Sequence, residues 1–332
     1  MNPSIAKIAE IAGVSTATVS RVINNPEKVT EKTRRKVLQV IDEFGYVPNE
    51  FARGLRSQKK NMVGIIIPSN KTNYLFFPSF SYFLKGVTET LAYRGYYTIL
   101  TMEEHDAEPW SSYKSLISKN LVDGFILLEL RENDPRIEYL KKHDIKFVTI
   151  GRTTESKGYI YVDLDNEQGG YLATKHLISL NKKRILLISG NEEDCCCIHR
   201  KEGYLKALTE NGIESADELI INSDSSEDAA FNIVARALSS KDFDSIFAIS
   251  DLAAIGALKA LEFFNRSIPV VGFDDIPITR YFKPPLTTVR QPMQEMGRIS
   301  ANLLIEQFEN HPVNSRLVEA ELIKRESTLR FL

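Results

Sequence analysis

The sequence has few of the features that define several large protein classes. No apolar run approaches the roughly 18 residues that a membrane-spanning helix needs. The N-terminus carries no secretion signal, because Lys7 and Glu10 interrupt its apolar residues. A hydrophobic fraction of 43% and a charged fraction of 26% are ordinary for a globular protein. These features predict a cytoplasmic chain whose 332 residues are enough for two or three domains.

Cysteine is scarce, and its three copies are consecutive at Cys195, Cys196 and Cys197, close to His199. An odd number of thiols in a reducing compartment argues against a disulfide framework. Neighbouring side chains on an extended chain point in opposite directions, and no second Cys/His cluster could complete a metal site. We therefore expect no metal and no cofactor, and the role of the cysteines is left open.

Catalytic signatures are also missing. The chain has no Gly-rich or P-loop phosphate motif, no zinc-type His/Glu motif and no Gly-x-Ser-x-Gly nucleophile turn. Asp274 and Asp275 are adjacent, so their side chains diverge and are poorly placed to flank one scissile bond. The sequence predicts a binding protein and not an enzyme.

The net charge of −2 hides an asymmetry along the chain. Residues 1–60 contain 11 Lys and Arg against 6 Asp and Glu, whereas the remaining residues are acidic overall. A basic segment at one end of an acidic chain is typical of a nucleic-acid-binding module.

That basic segment begins with two predicted short helices around a turn. Ser4 can cap the first helix, Gly13 permits a sharp turn, and Ser15 can cap a second helix that ends near Asn24. The residues left on the outer face of the second helix are Thr16, Ala17, Thr18, Ser20, Arg21 and Asn24. This small, polar face could enter a DNA major groove, and the alternative is an ordinary helical hairpin.

A third helix is predicted from Thr30 to Phe44, followed by a weak linker at 46–61. The inner stripe of that helix is predicted to consist of Val37, Leu38, Ile41 and Phe44. In the linker, Pro48 prevents continuation of the helix, and few apolar residues are available to stabilise another one.

From residue 62 onward, short Val/Ile/Leu runs alternate with amphipathic helices. The predicted strands are 63–68, 97–102, 123–129, 146–151, 184–190, 218–223, 245–250 and 269–275, with a last one at about 317–324. This pattern indicates parallel sheets covered on both faces. One sheet of eight strands is possible, but a pause at 156–170 favours two similar halves.

The segments IAEIAGVSTATVSRVINN and VTEKTRRKVLQVIDEFGYVPNEFARGL resemble the headpiece and hinge of the lac repressor and galactose repressor family. VGIIIP, VDGFILL, GFDD and PPLTTVRQP resemble that family's core, so the resemblance covers essentially the whole chain. Within the family, the sequence looks nearest to the catabolite-control and sugar-responsive members.

The resemblance implies an α/β fold with a three-helix helix-turn-helix headpiece at 1–47 and a hinge at 48–61. The core at 62–332 is expected to resemble periplasmic binding proteins, with two doubly wound parallel α/β subdomains. The implied subdomain ranges are about 62–160 with 291–318, and about 161–290 with 319–332.

The resemblance also implies particular DNA contacts. Thr16, Ala17 and Arg21 match base-reading positions, and a guanidinium such as that of Arg21 can donate two hydrogen bonds to guanine. The positions that match contacts to the DNA backbone are Ser15, Ser20, Asn24, Lys28, Tyr46 and Asn49. The hinge positions that match contacts in the minor groove are Arg53, Leu55 and Arg56.

The family core implies a ligand in the cleft between the two halves, at the carboxyl ends of strands. Asp274 could accept hydrogen bonds from two neighbouring hydroxyls of a sugar, and its alternative role is a loop cap. The other effector-binding residues implied are Phe80, Arg152, Arg200, Ser250 and Asp251. For Asp251, the alternative is a cap of the helix that follows.

Together these resemblances imply a homodimeric repressor of carbohydrate-utilisation genes that binds a pseudo-palindromic operator. A sugar or sugar phosphate in the cleft would change the angle between the halves and so control the hinge helix. Two alternatives stay open: control by a phosphoprotein co-repressor, and a solute-binding protein of a transporter. The sequence gives neither the effector nor the operator, and it does not say whether the effector induces or co-represses.

Overall fold

The computed structural model describes residues 3–46, 59–67, 78–103 and 110–331. The chain forms two compact units, residues 1–60 and 61–332, which we call the headpiece and the core. None of the helices in the described ranges is long and apolar enough to span a membrane.

The described part of the headpiece contains three helices: α1 (Ile5–Ala12), α2 (Thr16–Asn24) and α3 (Glu31–Glu43). Ser4 caps α1 by accepting a hydrogen bond from the Lys7 N–H at 3.3 Å. Gly13 has a φ of 60°, a left-handed conformation that glycine adopts at little cost, and it ends α1. A short 3-10 turn (Pro26–Lys28) separates α2 from α3.

The headpiece core is small and is made by all three helices. Its buried members are Ile8, Ala9, Ala12, Val19, Val22, Val37 and Val40. On α3 the inner stripe is Val37, Val40 and the half-buried Ile41, at spacings of three and four residues. The predicted burial of Leu38 and Phe44 was wrong, since these side chains are 42% and 45% exposed. Leu38 faces away from the other two helices, and Phe44 lies beyond the last turn of α3.

The core contains two six-stranded sheets, and we call the lobes built on them the N-lobe and the C-lobe. The N-lobe strands are β1 (Met62–Ile67), β2 (Tyr97–Met102), β3 (Gly124–Leu127), β4 (Lys146–Ile150), β5 (Ile160–Leu164) and β11 (Arg316–Val318). Their order is β11-β5-β4-β3-β1-β2, and every neighbouring pair is parallel. The helices of this lobe are α4 (Pro78–Tyr93), α5 (Ser111–Ser118), α6 (Pro135–Lys142) and α11 (Met293–Phe308).

The C-lobe repeats this arrangement with one antiparallel edge. Its strands are β6 (Ile185–Ser189), β7 (Ile220–Asn222), β8 (Ser245–Ala248), β9 (Val270–Asp274), β10 (Thr287–Arg290) and β12 (Glu321–Ile323). The order is β12-β10-β9-β8-β6-β7, and only the β10–β12 pair is antiparallel. Its helices are α7 (Asn166–Ser179), α8 (Cys195–Glu210), α9 (Glu227–Ser240), α10 (Asp251–Phe263) and the short α12 (Glu326–Leu329), with 3-10 turns at Asp217–Leu219 and Pro277–Arg280.

The chain crosses between the lobes three times: from β5 to α7, from β10 to α11, and from β11 to β12. The predicted pause at 156–170 contains β5, which belongs to the N-lobe sheet, so the first crossing follows Leu164 and not residue 160. The predicted strand at 317–324 is two strands, one in each sheet.

Two glycines allow α7 and α8 to pack with their backbones in contact. A Cβ on Gly203 would lie 1.9 Å from the Glu167 carbonyl oxygen, and a Cβ on Gly170 would lie 2.1 Å from that of Arg200. No larger side chain fits at either position without moving a helix. This close packing fixes Arg200 beside the first turn of α7.

Candidate DNA interface and effector cleft

The outer face of α2 has the composition of a surface that reads DNA. Thr16, Ala17 and Arg21 are exposed, and Ala17 and Arg21 lie one helical turn apart. Ser15 precedes them and caps α2, because its Oγ accepts the Thr18 N–H at 3.1 Å. The Ser15 Oγ also lies 2.9 Å from the Thr18 Oγ1, so this hydroxyl is already engaged.

The residues predicted to contact the DNA backbone differ in exposure. Lys28 is exposed and Ser20 is half-buried. Tyr46 packs against the headpiece core, and its N–H donates to the Ile41 carbonyl at 3.0 Å. Asn24 is the last residue of α2. The predicted contacts Asn49, Arg53, Leu55 and Arg56 lie outside the described residues.

In the core, Arg200 is the centre of a buried polar cluster at the carboxyl ends of the C-lobe strands. It is 6% exposed, and its guanidinium lies 3.6 Å from the centre of the Phe273 ring. Its Nε donates to Asn166 Oδ1 at 2.8 Å, its Nη1 to the Ile249 carbonyl at 2.6 Å, and its Nη2 to Gln291 Oε1 at 3.2 Å. Arg200 thus uses three of its five N–H donors to join the first residue of α7, the residue after β8 and the segment after β10.

Asp274 is the carboxylate closest to that guanidinium. It ends β9 with a φ of 122°, a backbone conformation that side chains rarely adopt. Its Oδ1 lies 3.9 Å from Arg200 Nη1, and the backbone N–H of Asp251 donates to its carboxylate. Burial raises the pKa of Asp274 to about 6, although Arg200 acts in the opposite direction. The structure thus places the predicted effector residues Asp274 and Arg200 together.

The side chains of Ser250 and Asp251 are engaged in hydrogen bonds within the C-lobe. The Ser250 Oγ caps α10 by accepting the Ala253 N–H at 3.2 Å. Asp251 is fully buried, and its two oxygens accept hydrogen bonds from the Thr288 hydroxyl at 2.5 Å and the Ile276 N–H at 2.8 Å. Burial and the charge of Asp274 raise the pKa of Asp251. In this arrangement Asp251 offers no surface to a ligand, because its side chain is fully buried.

Phe80 is also placed differently from the prediction. It lies in α4 and is 2% exposed within the main hydrophobic cluster of the core. An aromatic ring can stack on a sugar only if one of its faces is accessible, and Phe80 presents no such face here.

On the N-lobe side, Arg152 faces Asp163, a buried aspartate that was not among the predicted effector-binding residues. Arg152 follows β4, and its Nη1 lies 3.5 Å from the Oδ2 of Asp163. Both atoms are buried, and neither makes a hydrogen bond. The other oxygen of Asp163 accepts from Asn166 Nδ2 at 3.0 Å. Desolvation raises the pKa of Asp163 to about 8, against the opposing effect of Arg152.

A continuous polar path therefore joins the lobes. It runs from Arg152 to Asp163, Asn166, Arg200 and Asp274. In the sequence, Asp163 was marked only by being a charged residue near the end of β5, a strand that was not predicted. Among the residues that the structure describes, no group of three or more Cys, His, Asp or Glu could hold a metal ion.

Comparison with known proteins decides the family. Residues 4–49 match the family model described as bacterial regulatory proteins, lacI family, and residues 60–326 match periplasmic binding proteins and sugar binding domain of LacI family. The chain belongs to the LacI family. It is 33% identical to the HTH-type transcriptional regulator CelR of Thermobifida fusca, over 98% of each chain.

Solved structures of the LacI family agree with this assignment. One is a complex of the transcriptional regulator CelR with cellobiose, at 31% identity and a TM-score of 0.75, covering 98% of this chain and 99% of the other. Another is the lac repressor dimer bound to operator and the anti-inducer ONPF, at 26% identity and a TM-score of 0.87, covering 99% and 100%. This LacI-family chain is a DNA-binding transcriptional regulator with an effector-binding core. The predictions of the fold, of this function and of a non-enzymatic protein are confirmed.

Proposed function

We propose that this LacI-family regulator acts in the cytoplasm as a repressor of carbohydrate-utilisation genes, with a sugar bound between its lobes. The observation that carries the proposal is the buried polar path from Arg152 to Asp274, which lies at the carboxyl ends of the strands in both lobes. Ligands of two-lobed α/β proteins bind at such strand ends.

The DNA contacts follow from the exposed face of α2. Arg21 reads guanine by donating two hydrogen bonds, while Thr16 and Ala17 make methyl or single-hydroxyl contacts with base edges. Ser15 contacts a phosphate through the free N–H groups at the start of α2, because its hydroxyl is used as the helix cap. Ser20, Asn24, Lys28, Tyr46 and Asn49 complete the backbone contacts.

The hinge residues are proposed to enter the minor groove on DNA. Leu55, flanked by Arg53 and Arg56, would be inserted between base steps with its counterpart from the second subunit. Leu55→Ala should then weaken specific binding more than non-specific binding. Equal losses on operator and scrambled DNA at one salt concentration would contradict this role.

The chemistry of the cleft favours a neutral sugar as the effector. Asp274 supplies acceptors, Arg200 has two N–H groups left, and Arg152 and Asp163 face each other without a hydrogen bond. A sugar hydroxyl can donate to a carboxylate and accept from a guanidinium, so a polyol satisfies both kinds of group. Each guanidinium already has a carboxylate within about 4 Å, Asp165 beside Arg152 and Asp274 beside Arg200, which leaves less positive charge for a phosphate ester. The CelR complex with cellobiose is consistent with a carbohydrate ligand.

Two measurements test this function. The full-length chain is first used to select bound duplexes from a random DNA pool, and the affinity of the selected site is measured by fluorescence anisotropy. A pseudo-palindromic site is expected, and equal affinity for any duplex would refute sequence-specific recognition.

Neutral mono- and disaccharides and their phosphate esters are then screened by thermal shift and added to the DNA titration. A neutral sugar should raise the melting temperature by mass action and change operator affinity, and Asp274→Ala should abolish both effects. If no sugar changes operator affinity, control by a phosphoprotein co-repressor becomes the better explanation.

A further inference from the structure

The two lobes touch each other directly at the cleft through two loops. One loop follows β3 in the N-lobe and includes Leu130, Arg131 and Glu132. The other begins α8 in the C-lobe and includes Asp194 and Cys195. Arg131 and Asp194 form an antiparallel β-bridge, and the Cys195 N–H donates to the Leu130 carbonyl at 3.1 Å.

The side chain of Cys195 is buried at this contact. Cys195 belongs to the C-lobe but is 1% exposed within a hydrophobic cluster whose other buried members are N-lobe residues, among them Ile66, Leu127 and Leu130. Its thiol donates to Glu132 Oε1 at 3.7 Å. Burial, followed by the charge of Glu132, raises the pKa of this thiol. Cys195 is therefore a C-lobe residue whose side chain is buried in a hydrophobic cluster of the N-lobe.

The N-lobe side of the contact is held in place by its own hydrogen bonds. Arg136 donates to the Leu128 and Glu129 carbonyls at 3.0 Å each and pairs with the buried Asp134. Glu132 Oε1 accepts the Thr154 N–H at 2.7 Å. A loop fixed in this way presents the Leu130 carbonyl in one position.

The two residues before Cys195 form ion pairs with Arg131 of the N-lobe. Arg131 Nη1 is 3.1 Å from Glu193 Oε2, and its Nε is 3.9 Å from Asp194 Oδ1. Arg131 and Glu193 are 43% and 68% exposed, so their attraction is modest and can be broken without unfolding either lobe.

The start of α8 is capped by the opposite lobe. Asp194 is the N-cap residue of α8, yet its side chain makes no capping hydrogen bond and lies toward Arg131. The first N–H of the helix, that of Cys195, bonds to the Leu130 carbonyl across the cleft, whereas a capping Asp194 carboxylate would accept the N–H of Cys196 or Cys197. An aspartate at this position is well suited to cap a helix itself once its carboxylate is released.

We propose that these contacts form a latch that holds the two lobes together. In the closed form Cys195 is buried and Leu130 caps α8. In the open form Cys195 is exposed, and the Asp194 carboxylate, released from Arg131, caps α8 by accepting the N–H of Cys196 or Cys197. The latch has two alternative sets of hydrogen bonds, which is what a conformational switch between two states needs.

The reactivity of Cys195 measures opening directly. The chain has three cysteines, so a Cys196→Ser/Cys197→Ser background leaves Cys195 as the only thiol. Its rate of reaction with an aromatic disulfide reagent, 5,5′-dithiobis(2-nitrobenzoate), is measured on the full-length protein. The rate should be far below that of the urea-unfolded chain, and Arg131→Gln should raise it by about two- to fivefold. Arg94→Gln is the control, since Arg94 pairs with Glu309 at 2.8 Å within the N-lobe, and it should leave the rate unchanged.

The exchange of caps is tested at Asp194. Asp194→Asn weakens the attraction to Arg131 but keeps a capping side chain, whereas Asp194→Ala removes both. Cys195 should therefore react roughly fivefold faster in Asp194→Asn than in Asp194→Ala, because only the first variant can cap the open form. Far-UV circular dichroism confirms that each variant is folded.

Three results would overturn the proposal. The closed latch is refuted if Cys195 reacts in the folded background as fast as in urea. The role of Arg131 is refuted if Arg131→Gln and Arg94→Gln have equal rates. The cap exchange is refuted if the two Asp194 variants react equally fast.

Discussion

Replacing Asp274 or the adjacent Asp275 by asparagine is expected to change the free energy of unfolding in opposite directions. The side chain of Asp275 is 2% exposed and is surrounded by three arginines. Arg290 Nε donates to it at 2.9 Å, Arg325 donates to its other oxygen, and Arg280 Nη2 lies 3.6 Å away. These arginines come from the end of β10, the segment before α12 and the 3-10 turn at Pro277–Arg280. Asp275 therefore ties the C-terminal segment to the end of β9.

Asp275→Asn should lower the free energy of unfolding by about 2–3 kcal/mol at pH 7. Removing one member of a buried ion pair typically costs about 3–5 kcal/mol. The loss is smaller here, because Arg290 and Arg280 are 40% and 55% exposed and can be solvated again. Arg325 is 14% exposed and keeps its 2.8 Å hydrogen bond to the Leu286 carbonyl.

Asp274→Asn should instead raise stability by about 2–3 kcal/mol at pH 7. Folding raises the pKa of Asp274 to about 6, so the folded chain binds this proton more tightly than the unfolded chain does. Each unit of raised pKa costs about 1.4 kcal/mol once the pH exceeds both values. The ionisation of Asp274 therefore lowers the free energy of unfolding as pH rises from about 4 through about 6. The asparagine variant has no ionisable group at this position and does not lose this stability.

Urea unfolding of the full-length chain, followed by far-UV circular dichroism at pH 7 and pH 4, measures both effects. The gain from Asp274→Asn should be present at pH 7 and absent at pH 4. The reasoning is wrong if Asp275→Asn lies within about 0.5 kcal/mol of the parent. It is also wrong if Asp274→Asn destabilises the chain as much as Asp275→Asn does.

Further substitutions test the headpiece and the C-lobe. Arg21→Ala should cost about 1–3 kcal/mol of binding to the selected operator, measured by anisotropy, while the melting curve is unchanged. Ser15→Ala should destabilise the headpiece by about 1 kcal/mol in thermal unfolding, through loss of the α2 cap. Gly203→Ala should cost more than about 3 kcal/mol in urea unfolding, because its Cβ would lie 1.9 Å from the Glu167 carbonyl oxygen. Burial lowers the pKa of His176 to about 4, so the unfolded chain takes up its proton first and stability falls as pH drops from about 6.5 toward 4. His176→Gln should make urea midpoints less sensitive to pH over that range.

Local rules predicted the headpiece well. Ser4 and Ser15 cap their helices as expected, because a cap depends on residues three positions away. The inner face of α3 was only partly predicted. Adjacent apolar residues such as Val37 and Leu38 differ by 100° around a helix, and only the position of the other helices decides which is buried.

The core was predicted less completely than the headpiece, because its site depends on contacts between residues that are distant in the chain. β5 was missed because it carries Asp163 within a strand that is otherwise apolar or aromatic, and that aspartate is tolerated only through contacts with Arg152 and Asn166. The position of Asp274 at a strand end was predictable from the GFDD segment. The engagement of both Asp251 oxygens depends on Thr288 and Ile276, which lie 37 and 25 residues away in the chain.

The placement of Arg200 explains how a ligand in the cleft could move the lobes. Two of its hydrogen-bond partners lie at crossings between the lobes: Asn166 is the first residue of α7 after β5, and Gln291 lies between β10 and α11. A sugar bound as proposed, by the two remaining N–H groups of Arg200, would contact the side chain that fixes these two crossings. The same sugar would provide hydrogen-bond partners for Arg152 and Asp163 on the N-lobe side. We propose that effector binding shifts the balance between the latched and open arrangements, since a ligand shifts the lobes only by its different affinity for the two.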